Sequence, residues 1–105
     1  MTLEQLINKL KDLPADAILP VGITDPHSYR GNYLELAFEP TTNQQRDEAI
    51  AVAKSAIGTT YNGYKGGKYL MGIHDNVHLA KYGECEDDGF GISGIFVEYY
   101  KAREK

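Results

Sequence analysis

Tyr33-Leu34-Glu35-Leu36-Ala37-Phe38-Glu39 decides the fold class. Leu34, Leu36 and Phe38 fall on one side of an extended chain, and Tyr33, Glu35, Ala37 and Glu39 on the other. That alternation predicts a strand with one buried face. A sheet built from such a strand needs a covering layer, and two segments of helical period supply it. In residues 2–12, Leu3, Leu6, Ile7 and Leu10 recur at i, i+3, i+4 and i+7. Thr2 with Gln5 has capping-box spacing, and Pro14 ends the segment by disfavouring α geometry at Leu13. In residues 43–57, Ala49, Ile50, Ala53, Ala56 and Ile57 form the buried stripe, Thr42 with Gln45 repeats the capping spacing, and Gly58 is the stop. The alanine-rich stripe predicts close packing on the sheet.

Working outward, Ala17 to Ile23 reads as a further strand. Pro20 cannot donate to a ladder, so this strand belongs at an edge or carries a bulge. Thr24 to Asn32 is polar and rich in turn formers, a loop. Thr59–Tyr61 and Lys68–Met71 read as paired strands around a Gly-rich turn. Val77–Ala80 fits a strand or one helical turn, Glu84–Asp88 an acidic loop, and Ile92–Tyr100 a last strand before a charged, fraying tail. The expected fold is α+β, an antiparallel sheet with two helices on one face, in a single domain spanning 1–105; a split βαβ arrangement is the alternative.

Composition narrows the function classes. A chain of 105 residues can bury a core without disulfide or metal, and its one cysteine, Cys85, permits no intrachain disulfide. A lone thiol suits a cytoplasmic setting. The N-terminus has no signal-peptide pattern, since Lys9 and Lys11 follow the first apolar residues, and no apolar run suits a membrane span. Fifteen acids against eleven Lys and Arg give a net charge of -4, which argues against salt-driven binding of duplex nucleic acid. A small anion remains open to it, because a few cations and backbone N–H groups hold a phosphate whatever the net charge. Eight Tyr and eleven Gly, against three Phe and no Trp, supply stacking planes and close backbone approach.

Three strings could carry chemistry. His27-Ser28-Tyr29-Arg30-Gly31 combines an imidazole, a hydroxyl, an aromatic plane and a guanidinium that can clamp a phosphate. The bland alternative is turn chemistry at Asp25-Pro26 and Arg30-Gly31. Tyr61 to Tyr69 contains Asn62, Tyr64, Lys65, Gly66, Gly67, Lys68 and Tyr69. Its glycines can form an anion nest, its lysines add charge, and its tyrosines can stack on bases; the alternative is a plain hairpin. It is not a Walker A loop. Together the two strings read as one nucleotide site. His74 and His78 could share a helical face and bind a metal, but nearby Gly and Asn oppose a helix and no third strong ligand is visible, so they read as surface residues. Ser28 beside His27 lacks a nucleophile elbow, and Cys85 lies among Glu84, Glu86, Asp87 and Asp88, which blunt a thiol. The acidic cluster matches no EF-hand spacing. The expectation is no cofactor, no metal and no catalytic residue.

Pro26-His27-Ser28-Tyr29-Arg30-Gly31, Leu36-Ala37-Phe38-Glu39-Pro40 and Gly63-Tyr64-Lys65-Gly66-Gly67 together resemble a family of small uncharacterised phage-encoded proteins, over about Leu6 to Tyr82. The resemblance implies a phage accessory protein acting in an infected bacterial host. The Arg, Lys, Tyr and Gly chemistry adds a sharper expectation. The protein binds and sequesters a small nucleotide immune signal, of the cyclic oligonucleotide (CBASS) or cyclic ADP-ribose (Thoeris) type, without turnover and as a homo-oligomer. A small phosphodiesterase-like hydrolase using its histidines, and a protein-binding inhibitor or scaffold, are the rival classes.

Overall fold

The computed structural model describes residues 1–28, 35–62, 68–79 and 91–103. Helix α1 spans Leu3–Lys11. Thr2 Oγ1 accepts from the Gln5 N–H at 3.2 Å, and Gln5 Oε1 accepts from the Thr2 N–H at 2.9 Å, so the expected capping box forms. The N–H groups of Leu3 and Glu4 donate to Asp75 and Ile73 carbonyls, which satisfies two more donors of the first turn. Leu3, Leu6, Ile7 and Leu10 are buried, as the period requires.

Strands β1 (Ile18–Ser28) and β2 (Glu35–Gln45) form a long antiparallel pair. Strand β5 (Asn76–Leu79) pairs with β2 in parallel, giving the order β1-β2-β5. The sheet is therefore mixed, not wholly antiparallel as expected. A parallel neighbour needs a crossover, usually helical, and residues 46–75 provide it. They contain α2 (Arg46–Ser55) and a separate hairpin of β3 (Thr60–Asn62) and β4 (Lys68–Leu70). That hairpin and the strand at Val77 answer two expectations directly. Beyond β5, the Val77 N–H donates to the Met1 carbonyl and Thr2 bridges Asn76.

Pro20 lies on the edge strand, and the same strand bulges between Thr24 and His27, where Asp25 takes a positive φ of 42°. Residues 24–28 thus belong to β1 and not to the expected loop. β2 likewise continues past Glu39 to Gln45, which displaces the start of the second helix from residue 43 to Arg46. Thr42 and Gln45 make no capping box; Gln45 caps without a side-chain bond. Instead the Arg46 N–H donates to the Ala17 carbonyl, and the Arg46 guanidinium donates to the Leu13 carbonyl at 2.9 Å. Ala49, Ala53 and Ala56 are fully buried and α2 packs on β1, as its alanines predicted. Ile57, expected in that stripe, is 44% exposed because the helix ends at Ser55. Gly58, at a φ of 74°, turns the chain and donates to the Met71 carbonyl.

The largest correction is at the C-terminal end. Gly91–Ser93 is a 3-10 turn and Gly94–Arg103 is helix α3, where a strand was expected. Ile92, Ile95, Phe96 and Tyr99 are buried at i, i+3, i+4 and i+7, a helical stripe whose aromatic and β-branched composition suggests a strand. α3 packs on β1, and Lys9 of α1 lies 5.8 Å from the centre of the Phe96 ring. All three helices share one apolar cluster with Leu19, Ile23, Leu36, Phe38 and Val77 of the sheet. Phe38 is its largest fully buried side chain.

Gln44 is the one buried polar side chain among the described residues. Its Oε1 accepts from the Ile23 N–H at 2.8 Å and its Nε2 donates to the Ile23 carbonyl at 2.7 Å. The amide lies across Gly22, where a Cβ would fall 2.6 Å from Gln44 Cβ and 2.9 Å from its Cδ. Only glycine fits there.

Candidate functional site

Most of the sequence-derived site lies outside the described residues: Tyr29, Arg30, Gly31, Tyr64, Lys65, Gly66 and Gly67 all do, as do Cys85 and the acidic loop. The described strands fix where these segments begin and end. The first leaves β1 at Ser28 and rejoins at Glu35, the start of β2. The second joins Asn62 of β3 to Lys68 of β4, with Tyr69 the next residue of β4. The meeting of the two segments in one pocket falls outside the described residues.

His27 is placed in detail. The bulge and the positive φ at Asp25 turn the chain so that His27 Nδ1 lies 3.0 Å from the Asp25 carbonyl. A carbonyl only accepts, so Nδ1 carries the proton, and in the neutral ring Nε2 is the basic nitrogen. His27 stands opposite Ala37 of β2, and Ala37 stands beside His78 of β5. Residues directly across adjacent strands share a face, so His27, Ala37 and His78 form one row across the sheet. Neighbouring strands lie about 4.8 Å apart, which puts the two histidine Cα atoms about 10 Å apart. Among the described residues, Ala37 stands between them in the row, and it is fully buried.

Glu35 belongs to the same face, two residues before Ala37 on β2. Its Oε1 lies 3.1 Å from His78 Nε2, with 35% and 21% of the respective side chains exposed. A carboxylate accepts, so His78 donates through Nε2, and this contact orients the ring. The opposite face at this level carries Leu36 and Val77, both in the core. Strand alternation thus separates a polar histidine face from the apolar interior at the end of the sheet that leads into Arg30.

His74 and His78 are not companions on a helix. His74 is exposed in the turn before β5, and His78 is half-buried within it. Among the described residues no group of three His, Cys, Asp or Glu is placed to hold a metal ion. Glu35 is not among the candidates read from the sequence, and His78 is a candidate there only as a companion of His74. Glu35 and His78 are far apart in the chain, and only the parallel register of β5 brings them together. The alternation of Glu35 and Ala37 away from the core was the available signal.

The face thus brings two imidazoles and a carboxylate together, one imidazole held by the Asp25 carbonyl and the other by Glu35. Among the described residues no helix is long and apolar enough to cross a membrane. No family model, no curated protein and no solved structure matches the chain.

Proposed function

We propose that this chain binds and sequesters a small phosphate-bearing nucleotide signal without turnover, as a phage accessory protein in the cytoplasm of an infected bacterium. The observation that supports this reading is the row His27–Ala37–His78, at the strand ends from which the Arg30 segment departs. Two imidazoles about 10 Å apart at Cα are spaced to contact one phosphate from both sides. Arg30 adds a planar fork for the same group, and the tyrosines of the 61–69 segment add stacking planes. The same reading makes the protein a homo-oligomer whose pockets are completed by a neighbouring chain. Tyr100 of α3, 55% exposed, supports a contact surface on that helix, since tyrosine is favoured at interfaces.

Calorimetric titration with cyclic dinucleotides and cyclic ADP-ribose isomers tests the proposal. Saturable binding is expected, and heat-denatured complex should release the ligand intact. Failure of every nucleotide to bind below about millimolar sinks the reading and moves a protein-binding inhibitor ahead.

One observation favours a second reading, a phosphodiesterase-like hydrolase. His27 bonds the Asp25 carbonyl through Nδ1 and His78 bonds the Glu35 carboxylate through Nε2, so two imidazoles and a carboxylate, the side chains of acid–base catalysis, share one face. The release experiment separates the two, because an enzyme returns product.

A further inference from the structure

The exposure of Ile57 has a structural counterpart away from the histidine face. A groove of about 460 Å³ is lined by Glu4, Ile7, Asn8, Lys11, Lys54, Ile57 and Ile73. Glu4, Ile7, Asn8 and Lys11 recur at i, i+3, i+4 and i+7, so one whole stripe of α1 forms a wall. Lys54 at the end of α2 and Ile57 just beyond it form the other, and Ile73 lies at one end. The floor is aliphatic: Ile7 is buried, Ile73 half-buried and Ile57 44% exposed. Its size falls within the range of small-molecule sites, which are apolar with a few placed polar groups.

We propose that this groove binds a small aliphatic anion, a chain carboxylate, with its tail on Ile7, Ile57 and Ile73 and its head at Lys11. Among the described residues no aromatic ring lines the groove, and its three isoleucines suit an alkyl chain better than a stacked base. Charge selects the head. Arg46 at the start of α2 holds the carbonyls of Lys11 and Leu13 at the end of α1, and Gly58 beyond α2 bonds Met71, near the Ile73 carbonyl that receives the Glu4 N–H. The two helices therefore run antiparallel, and Glu4 faces the Lys54 end. Glu4 and Lys54 bring opposite charges to that end, while Lys11 stands at the other end with Asn8 nearly one turn away. Among the described residues neither lysine makes an ion pair with a carboxylate. In a chain of net charge -4, this is a local cationic spot beside exposed aliphatic surface.

The test is a ¹H–¹⁵N NMR titration of the intact chain with octanoate, using octanol as the neutral control. Saturable shifts confined to the amides of Ile7, Asn8, Lys11, Ile57 and Ile73 are expected, with octanol at least about tenfold weaker. Lys11→Glu, at an exposed position, should weaken octanoate about tenfold or more, leave octanol unchanged, and exceed the effect of Lys54→Glu. Ile57→Lys should weaken both ligands. The proposal is overturned if octanoate gives no saturable shift by about 10 mM, if octanol binds as tightly, or if Lys11→Glu has no effect. None of these outcomes depends on nucleotide binding.

Discussion

Replacing Gln44 with alanine removes both bonds to Ile23 at once. The amide is 3% exposed and answers the N–H and the C=O of a single buried residue, at 2.8 and 2.7 Å. Leaving a buried backbone donor and acceptor unsatisfied costs about 1–3 kcal/mol each. Water reaching the edge strand offsets part of that, so a loss of about 2–5 kcal/mol is expected. For a domain near this size each kcal/mol lowers Tm by about 4–8 °C, so the fall should be at least about 8 °C. Urea unfolding gives the free energy directly. Gln44→Glu sharpens the test, because an ionised carboxylate keeps the acceptor for the Ile23 N–H but cannot donate to its carbonyl. The introduced carboxyl would be held above its ordinary pKa in the folded state by burial and by that carbonyl. Its penalty should be small below the unfolded value near 4.3, grow as pH rises through the folded value, and then level off. A loss under about 1 kcal/mol in Gln44→Ala, or a pH-independent Gln44→Glu penalty, would refute the reasoning.

Thr2→Ala breaks the capping box and should cost about 0.5–2 kcal/mol in a urea melt. Leu6→Asp places an unpaired charge at a fully buried position and should cost several kcal/mol; an unchanged melting temperature would contradict the packing of α1. In calorimetry with a bound nucleotide, Arg30→Ala should weaken affinity roughly tenfold to hundredfold, and Arg30→Lys should recover only part of it. Tyr64→Ala should cost about 1–3 kcal/mol of binding, while Tyr64→Phe should be mild.

Where a local pattern and its burial agree, the sequence was sufficient. The stripe Leu3, Leu6, Ile7, Leu10 with its Thr2–Gln5 cap gave α1, and the glycines between 62 and 68 gave the β3–β4 hairpin. In residues 92–100 the β-branched and aromatic composition weighs toward strand, but the helical period carried by Ile92, Ile95, Phe96 and Tyr99 outweighs it in the fold. Thr42 and Gln45 have the capping spacing yet sit in β2, because Gln44 between them is committed to Ile23. The parallel pairing of β2 with β5 leaves no local trace, since it is set by how residues 46–75 cross over. The histidine face shares that origin. His27 was legible as a candidate, but Glu35 and His78 become its neighbours only through register.

The flanks of the sheet bear on how copies of the chain can associate. At β1, Pro20 offers no N–H, and the bulge at Asp25 twists the strand out of line. At β5, the Val77 N–H is already taken by Met1 and Asn76 is bridged by Thr2. An incoming strand thus meets an interrupted ladder on one side and the chain's own N-terminal residues on the other. Intermolecular sheet growth, the usual route from an exposed edge to aggregation, is blunted at both borders. The self-association proposed above would accordingly use side chains on the helices and not added strands, and a bulky group joined to Met1 would weaken the guard at β5.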